Sequence, residues 1–210
     1  MSREDASTID LTRNEKKKAA LNSVVAALGL TAMKLVVGIL SGSLGILAEA
    51  AHSGLDLVAA LVTLIAVSVS DRPADESHPY GHGKVENISA LIETLLLFAT
   101  CAWIIYEAVH RIFFRDVPVE PSVWAFLVVI VSIVIDVSRS RMLSRAAKKH
   151  RSQALEADAL HFSTDVWSSA VVLGGLALVL VGQKLLPGQS GLLNRADAVA
   201  ALAVAFIVLF

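Results

Sequence analysis

The chain has 210 residues, of which 55% are hydrophobic and 18% are charged, and its mean hydropathy is +0.67. A soluble domain usually has about 45–50% apolar and about 25% charged residues, so this composition indicates a membrane protein. The net charge of −1 provides no basic field, and we therefore expect no nucleic-acid partner. The single cysteine, Cys101, excludes an intrachain disulfide.

The apolar segments predict an all-α, polytopic membrane protein with a bundle of six transmembrane helices. About 20 apolar residues are needed to cross a bilayer core of about 30 Å. Five segments reach that length, and they are residues 19–40, 44–70, 85–114, 123–144 and 154–181. A sixth, 196–210, is shorter and ends with the sequence, so we expect helix 6 to be truncated.

The basic residues predict the orientation. Thirteen of the 18 Lys and Arg residues lie in the N-terminal tail, the loop between helices 2 and 3, and the junction between helices 4 and 5. Only four lie on the opposite side. Because cytoplasmic loops carry the excess of Lys and Arg, we expect the N-terminal tail (residues 1–15) in the cytoplasm, followed by a transmembrane domain over residues 16–210. We expect a multi-pass protein of a cell membrane, the bacterial inner membrane.

Two predicted helices carry the same pair of ionisable residues. Helix 2 has His52 and Asp56, and helix 5 has His161 and Asp165. Ionisable side chains inside a bilayer cost at least about 2.5–3.5 kcal/mol each and usually have a function. Residues four apart share one helical face, so each pair can present two ligands to one point. At about 1.5 Å per residue, Asp56 lies roughly 21 Å and Asp165 roughly 17–20 Å from the cytoplasmic helix ends, so the pairs can meet.

Two imidazoles and two carboxylates form a tetrahedral set that suits Zn²⁺. The octahedral oxygen shells of Mg²⁺ and Ca²⁺ suit it less well. The alternative is that these residues form interhelical hydrogen bonds that hold the bundle together. Two matched pairs at matching depth favour the metal site.

A second group of potential ligands lies in the loop before helix 3. Asp75, His78 and His82 occur within the sequence ADESHPYGHGK, where Pro and Gly residues shape the chain. On spacing alone, a solvated polar turn is the better interpretation, and a metal site is the alternative.

Several motifs resemble the cation diffusion facilitator family, whose members are six-helix, dimeric metal/proton antiporters. They are AEAAHSGLD in helix 2, HPYGHGKVE after it, ALHFSTD in helix 5 and ADA at the start of helix 6. The likeness covers nearly the whole chain and implies a homodimer in the lipid bilayer. Members of the family also have a C-terminal cytoplasmic domain, and we expect this chain to lack it.

The resemblance implies roles for both groups of residues. The transport site of the family falls on His52, Asp56, His161 and Asp165, in a pattern similar to its zinc-transporting branch. The loop positions Asp75, His78 and His82 match a second zinc site of the family, and this reverses the interpretation from spacing alone.

Metal and protons compete for the same groups, because bound Zn²⁺ requires neutral imidazoles and ionised carboxylates. The expected function is therefore Zn²⁺ export in exchange for protons. A transporter of the same type that prefers Cd²⁺, Co²⁺, Ni²⁺, Fe²⁺ or Mn²⁺ is the nearest alternative. An intramembrane metalloenzyme would need a motif such as HExxH, which the chain lacks, so no enzyme is expected. A helical scaffold without metal is the third alternative.

Overall fold

The computed structural model describes residues 3–42, 44–113 and 123–185, and this part of the chain contains five α-helices and no β-strand. The helices are α1 (Arg3–Ser41), α2 (Leu44–Ser70), α3 (Lys84–Phe113), α4 (Val123–His150) and α5 (Gln153–Leu185). The all-α prediction is confirmed. The predicted sixth helix, residues 196–210, lies outside the described residues.

Four segments of the described helices are long and apolar enough to cross a membrane. They are Leu11–Ser41, Glu49–Ser70, Lys84–Trp103 and Val123–His150. Their exposed positions carry large apolar side chains such as Leu28, Ile65 and Leu95, which suits contact with lipid. The protein is therefore a membrane protein, although the described residues do not establish all six spans that the sequence predicts.

The first helix begins well before the apolar segment that predicts it. It starts at Arg3 rather than at residue 19, because Glu, Lys and Arg are good helix formers and continue the helix without apolar side chains. Glu15, in this polar part, is contacted by Lys149 and by His150 Nε2, the latter at 2.9 Å. These contacts join the polar start of α1 to the end of α4.

The connection between α4 and α5 is a tight turn with a defined cap. Basic side chains favour a helix C-terminus, and α4 continues to His150 instead of ending at residue 144. Arg151 then has a positive φ of 50°, and the Ser152 amide donates to the Ala147 carbonyl at 3.2 Å. This is the pattern of a left-handed helix cap. The Ser152 hydroxyl accepts a hydrogen bond from the Leu155 amide at 3.4 Å, which caps the start of α5.

The chain divides into two compact units. The first comprises Met1–Leu95 and Val137–Phe162, and the second comprises Leu96–Asp136 and Ser163–Phe210. In the first unit, α1, α2, α4 and α5 pack through small and branched residues, which let the helix backbones approach closely. This core consists of Ala20, Ala66, Val67, Leu143, Ala147, Ala154, Leu155, Ala159 and Phe162. In the second unit, the buried residues include Cys101, Val128 and Ser132.

A buried polar cluster around Glu86 joins four parts of the first unit. Lys16 of α1 donates to Asp71 at 2.5 Å and to Glu86 Oε1 at 3.1 Å. Ser70 also donates to Glu86 Oε1, at 2.9 Å, and Ser152 donates to Oε2 at 2.6 Å. Because both carboxylate oxygens have partners, Glu86 can remain charged while it is buried.

Candidate metal centre

The first candidate site begins on α2, where His52 and Asp56 lie one turn apart. Nε2 of His52 is 3.8 Å from Oδ1 of Asp56. Asp56 is 8% exposed, whereas the His52 side chain is about a third exposed. The i, i+4 spacing thus places both polar atoms on one face of the helix, as the sequence predicts.

His161 of α5 approaches the same carboxylate oxygen. Its Nε2 atom lies 3.3 Å from Oδ1 of Asp56, and the residue is 3% exposed. Two ligands of one tetrahedral zinc ion, each about 2.0–2.1 Å from the metal, lie roughly 3.3 Å apart. The separation of His161 and Asp56 therefore fits two ligands of one ion, and His52 is slightly further away.

The fourth predicted ligand, Asp165, lies on α5 one turn after His161 and belongs to the second unit. The residue is 9% exposed. The continuous helix fixes its spacing from His161, so both side chains share one face of α5. As ligands of a metal, these four residues remain a prediction.

A buried lysine that belongs to none of the sequence motifs lies beside the first site. Lys34 of α1 is 4% exposed; its ammonium donates to Glu49 at 3.1 Å and to the Ser53 hydroxyl at 2.8 Å. Ser53 directly follows His52 and also accepts, through its carbonyl, a hydrogen bond from Thr31 at 2.9 Å. These contacts fix α1 against α2 at the level of the histidine. The signal in the sequence was a single charge within an apolar segment.

The second candidate site is the loop between α2 and α3. The potential ligand atoms of Asp75, His78 and His82 all lie within 4.8 Å of one another. Nδ1 of His78 is 3.2 Å from Oδ1 of Asp75, and Nε2 of His82 is 3.4 Å from Oδ2. Both distances fit two ligands of one zinc ion. The structure thus brings together all three residues that the sequence singled out.

Backbone hydrogen bonds shape this loop. The amide of Asp75 donates to the carbonyl of His78 at 3.3 Å, and the amide of His78 donates back at 3.2 Å. Gly81 has a φ of 79°, which a residue with a side chain rarely adopts, and its amide donates to the His78 carbonyl at 2.9 Å. The turn therefore brings the ring centroids of His78 and His82 to 4.3 Å.

The carboxylate of Asp75 is held in its ionised form. The hydroxyl of Ser77 donates to Oδ1 at 2.8 Å, and the backbone amide of His78 donates to the same oxygen at 2.7 Å. The Ser77 hydrogen bond, followed by that of the His78 amide, lowers the pKa of Asp75 to about 2. Asp75 is thus available as an anionic ligand throughout the physiological pH range. On His82, Nδ1 is buried without a hydrogen-bond partner, whereas Nε2 faces Asp75.

These features define a helical membrane protein with a His and Asp pair on each of two helices, where all but His52 are buried, and a His and Asp cluster in a polar loop. The chain belongs to the cation efflux family: residues 20–210 match its transmembrane domain. The members of this family are transporters. Membership of the family therefore confirms the expectation that the chain is not an enzyme.

Several relatives are similar in sequence to most of this chain. The magnetosome protein MamB of Magnetospira sp. is 36% identical over 86% of this chain and 58% of its own length. The manganese efflux system protein MneP of Bacillus subtilis is 32% identical, over 91% and 63% respectively. The cation-efflux pump FieF of Yersinia enterocolitica is 32% identical, over 92% and 61%. The chain therefore spans about three fifths of the length of these relatives.

Proposed function

We propose that this chain forms the membrane pathway of a divalent metal transporter that exports Zn²⁺ from the cytoplasm in exchange for protons. The observation that carries the proposal is the approach of His52 and His161, from two different helices, to one oxygen of Asp56. Membership of the cation efflux family supports the direction of transport. We propose Asp165, which the i, i+4 spacing pairs with His161 on α5, as the fourth ligand.

The choice of zinc follows from the chemistry of the ligands. Imidazole nitrogen suits Zn²⁺, whereas Mn²⁺ prefers carboxylate, carbonyl and water oxygens. The named function of one relative, manganese efflux, makes Mn²⁺ the second candidate ion. Cd²⁺, Co²⁺, Ni²⁺ and Fe²⁺ also remain as alternatives, because a site with two imidazoles and two carboxylates accepts several of these ions.

Proton exchange follows from the same ligands. Zinc binds neutral imidazole and ionised carboxylate, so an entering ion displaces any protons held by His52 and His161. Imidazole is the side chain that ordinarily changes its charge near neutral pH, which suits it for coupling. An inward-facing site would release protons as it binds zinc, and an outward-facing site would take up protons as it releases zinc. Rocking of the helices that carry the site would alternate its access.

The proposal is tested by zinc flux into proteoliposomes that contain the purified chain, with and without an imposed pH gradient. We expect the gradient to accelerate zinc movement, and zinc movement to carry protons in the opposite direction. Parallel measurements with Mn²⁺ and Cd²⁺ distinguish the alternative ions. A zinc flux that does not change with the pH gradient would contradict the exchange of zinc for protons. The absence of any metal flux would contradict transport by this chain.

The loop cluster of Asp75, His78 and His82 is proposed as a second zinc site that faces the cytoplasm. Its ligand distances and the ionised state of Asp75 support this assignment. The double substitution His78→Ala/His82→Ala should then lower the number of zinc ions bound per chain by about one. An unchanged zinc content in the double variant would refute the assignment.

We further propose that the protein is a multi-pass homodimer with its N-terminus and the α2–α3 loop in the cytoplasm. The excess of basic residues on that side supports the orientation. Single cysteines introduced at Ser41 and at Ser77, in a chain that carries Cys101→Ser, should be labelled from opposite sides of the membrane. Labelling of both from one side would show that the topology is wrong.

A further inference from the structure

A fully buried carboxylate on α5 is not among the proposed ligands. Asp158 lies three residues before His161 and has 0% exposure. The Ser23 hydroxyl donates to its Oδ2 atom at 3.3 Å, which is a long hydrogen bond, and its Oδ1 atom is buried without any hydrogen-bond partner. An ionised carboxylate accepts several hydrogen bonds, so these surroundings do not replace the water that the charged form would lose.

The charged groups around Asp158 do not compensate for this deficit. The guanidinium of Arg139, on α4, donates to the Ser23 hydroxyl at 3.1 Å and lies 3.4 Å from the centroid of the Phe162 ring. Its positive charge acts on Asp158 through space, but the hydrogen bond to Asp158 Oδ2 comes from Ser23. On α3, Glu93 is 1% exposed, and a negative charge on it would disfavour the ionised form of Asp158. The hydroxyl of Thr63, on α2, donates to Glu93 at 2.8 Å.

We propose that Asp158 is a proton-binding residue of the transporter, separate from the metal ligands, which carries a proton in the metal-free protein. A neutral carboxyl needs fewer hydrogen bonds than a carboxylate and is not repelled by Glu93, so the protonated form suits the pocket better. The proton resides on Oδ1 or Oδ2 of Asp158, and the titratable and charged groups near it are Glu93 on α3, Arg139 on α4 and His161 on α5.

The position of Asp158 couples this proton to the metal. His161 lies one turn further along α5, and the two positive charges of a bound zinc ion would favour the ionised form of a nearby acid. When zinc arrives, the O–H bond of Asp158 breaks, the electron pair stays on the carboxylate, and the proton passes to water. This inference rests on the proposed transport function, but the protonation of Asp158 can be measured without any transport.

The test uses infrared spectroscopy on the full chain in lipid nanodiscs at neutral pH, without metal. A protonated carboxylic acid gives a carbonyl band that a carboxylate lacks. We expect this band in the wild-type protein, its loss in Asp158→Asn, and its retention in Glu156→Gln, a matched control at an exposed position on the same helix. Addition of zinc should remove the band from the wild-type protein. Proton release on zinc binding should fall by about one proton per chain in Asp158→Asn.

Each other outcome refutes part of the inference. A wild-type protein without the band shows that Asp158 is ionised, whatever the zinc-flux assay gives. A band that persists in Asp158→Asn but disappears in Glu93→Gln places the proton on Glu93 instead. A band that zinc does not change excludes coupling to the metal. If Asp158→Asn does not fold, Asp158→Glu keeps the acid, and a shifted rather than unchanged band then reports the same site.

Discussion

The substitution Asp56→Asn tests the first metal site with little change in volume. In the structure, Oδ1 of Asp56 is the atom that both imidazoles approach, with His161 at 3.3 Å and His52 at 3.8 Å. The amide keeps the shape of the side chain and removes its negative charge. The other three proposed ligands should therefore keep their positions, while the site binds zinc more weakly.

The expected loss can be estimated from the burial of Asp56, which is 8% exposed. Removal of one charged partner from a buried interaction costs about 3–5 kcal/mol. Each 1.4 kcal/mol is about a factor of ten in a dissociation constant, so the zinc dissociation constant should rise by roughly two to four orders of magnitude. Zinc flux per folded molecule should fall with it.

The assay is a competition titration of zinc against a chelator, in a chain whose loop cluster carries His78→Ala/His82→Ala. In this background, the loop cluster can no longer bind zinc, so the titration measures binding at the first site. Glu156→Gln, an exposed substitution on α5, serves as the control for a lost carboxylate. If Asp56→Asn binds zinc as tightly as the control while both are folded, Asp56 is not a ligand, and its contacts with the histidines only hold the helices together.

Three further substitutions test other parts of the structure. Glu86→Ala leaves Lys16 buried without one of its two carboxylate partners. We expect the free energy of unfolding, measured with heat or denaturant, to fall by about 3–5 kcal/mol. An unchanged unfolding midpoint would show that the Glu86 cluster does not stabilise the fold. Ser77→Ala removes the hydrogen bond that contributes most to lowering the pKa of Asp75 to about 2, so the pKa followed by NMR should rise toward the ordinary value of 3.8. Because the folded pKa lies below that value, the stability that this carboxylate contributes is present above about pH 4 and is lost as the pH falls toward about 2, and the variant should lose less over this interval. His52→Asp keeps four ligands but adds an oxygen, so relative flux of Mn²⁺ and Cd²⁺ over Zn²⁺ should increase; an unchanged selectivity would exclude His52 from the site.

The helices were largely predictable, because long apolar segments and turn residues leave few alternatives. The second helix starts at residue 44 and ends at residue 70 in both the prediction and the structure. The start of α1 at Arg3 was not predictable from hydropathy, because its first turns are polar and the apolar segment marks only the part suited to the membrane. Hydropathy measures the preference of side chains for water or lipid, whereas a helix continues as long as its residues are good helix formers.

The candidate sites were predictable to different degrees. The i, i+4 spacing fixes the two ligands on each helix, but the approach of His161 to Asp56 depends on packing that no local pattern contains. The pairing of Lys34 with Glu49, 15 positions apart in the sequence, likewise depends on how α1 packs against α2. Tertiary contacts between helices have no fixed sequence spacing, so the pattern within a single helix does not predict which residues pair.

The proposed transport site binds one zinc ion through His52, Asp56, His161 and Asp165. X-ray absorption spectroscopy of zinc bound to the chain with His78→Ala/His82→Ala tests it most directly, because the loop cluster no longer contributes. We expect four ligands at about 2.0–2.2 Å, two of them imidazoles, and a reduced imidazole signal in His161→Ala. A shell of oxygen ligands alone, or a spectrum that His161→Ala leaves unchanged, would contradict it.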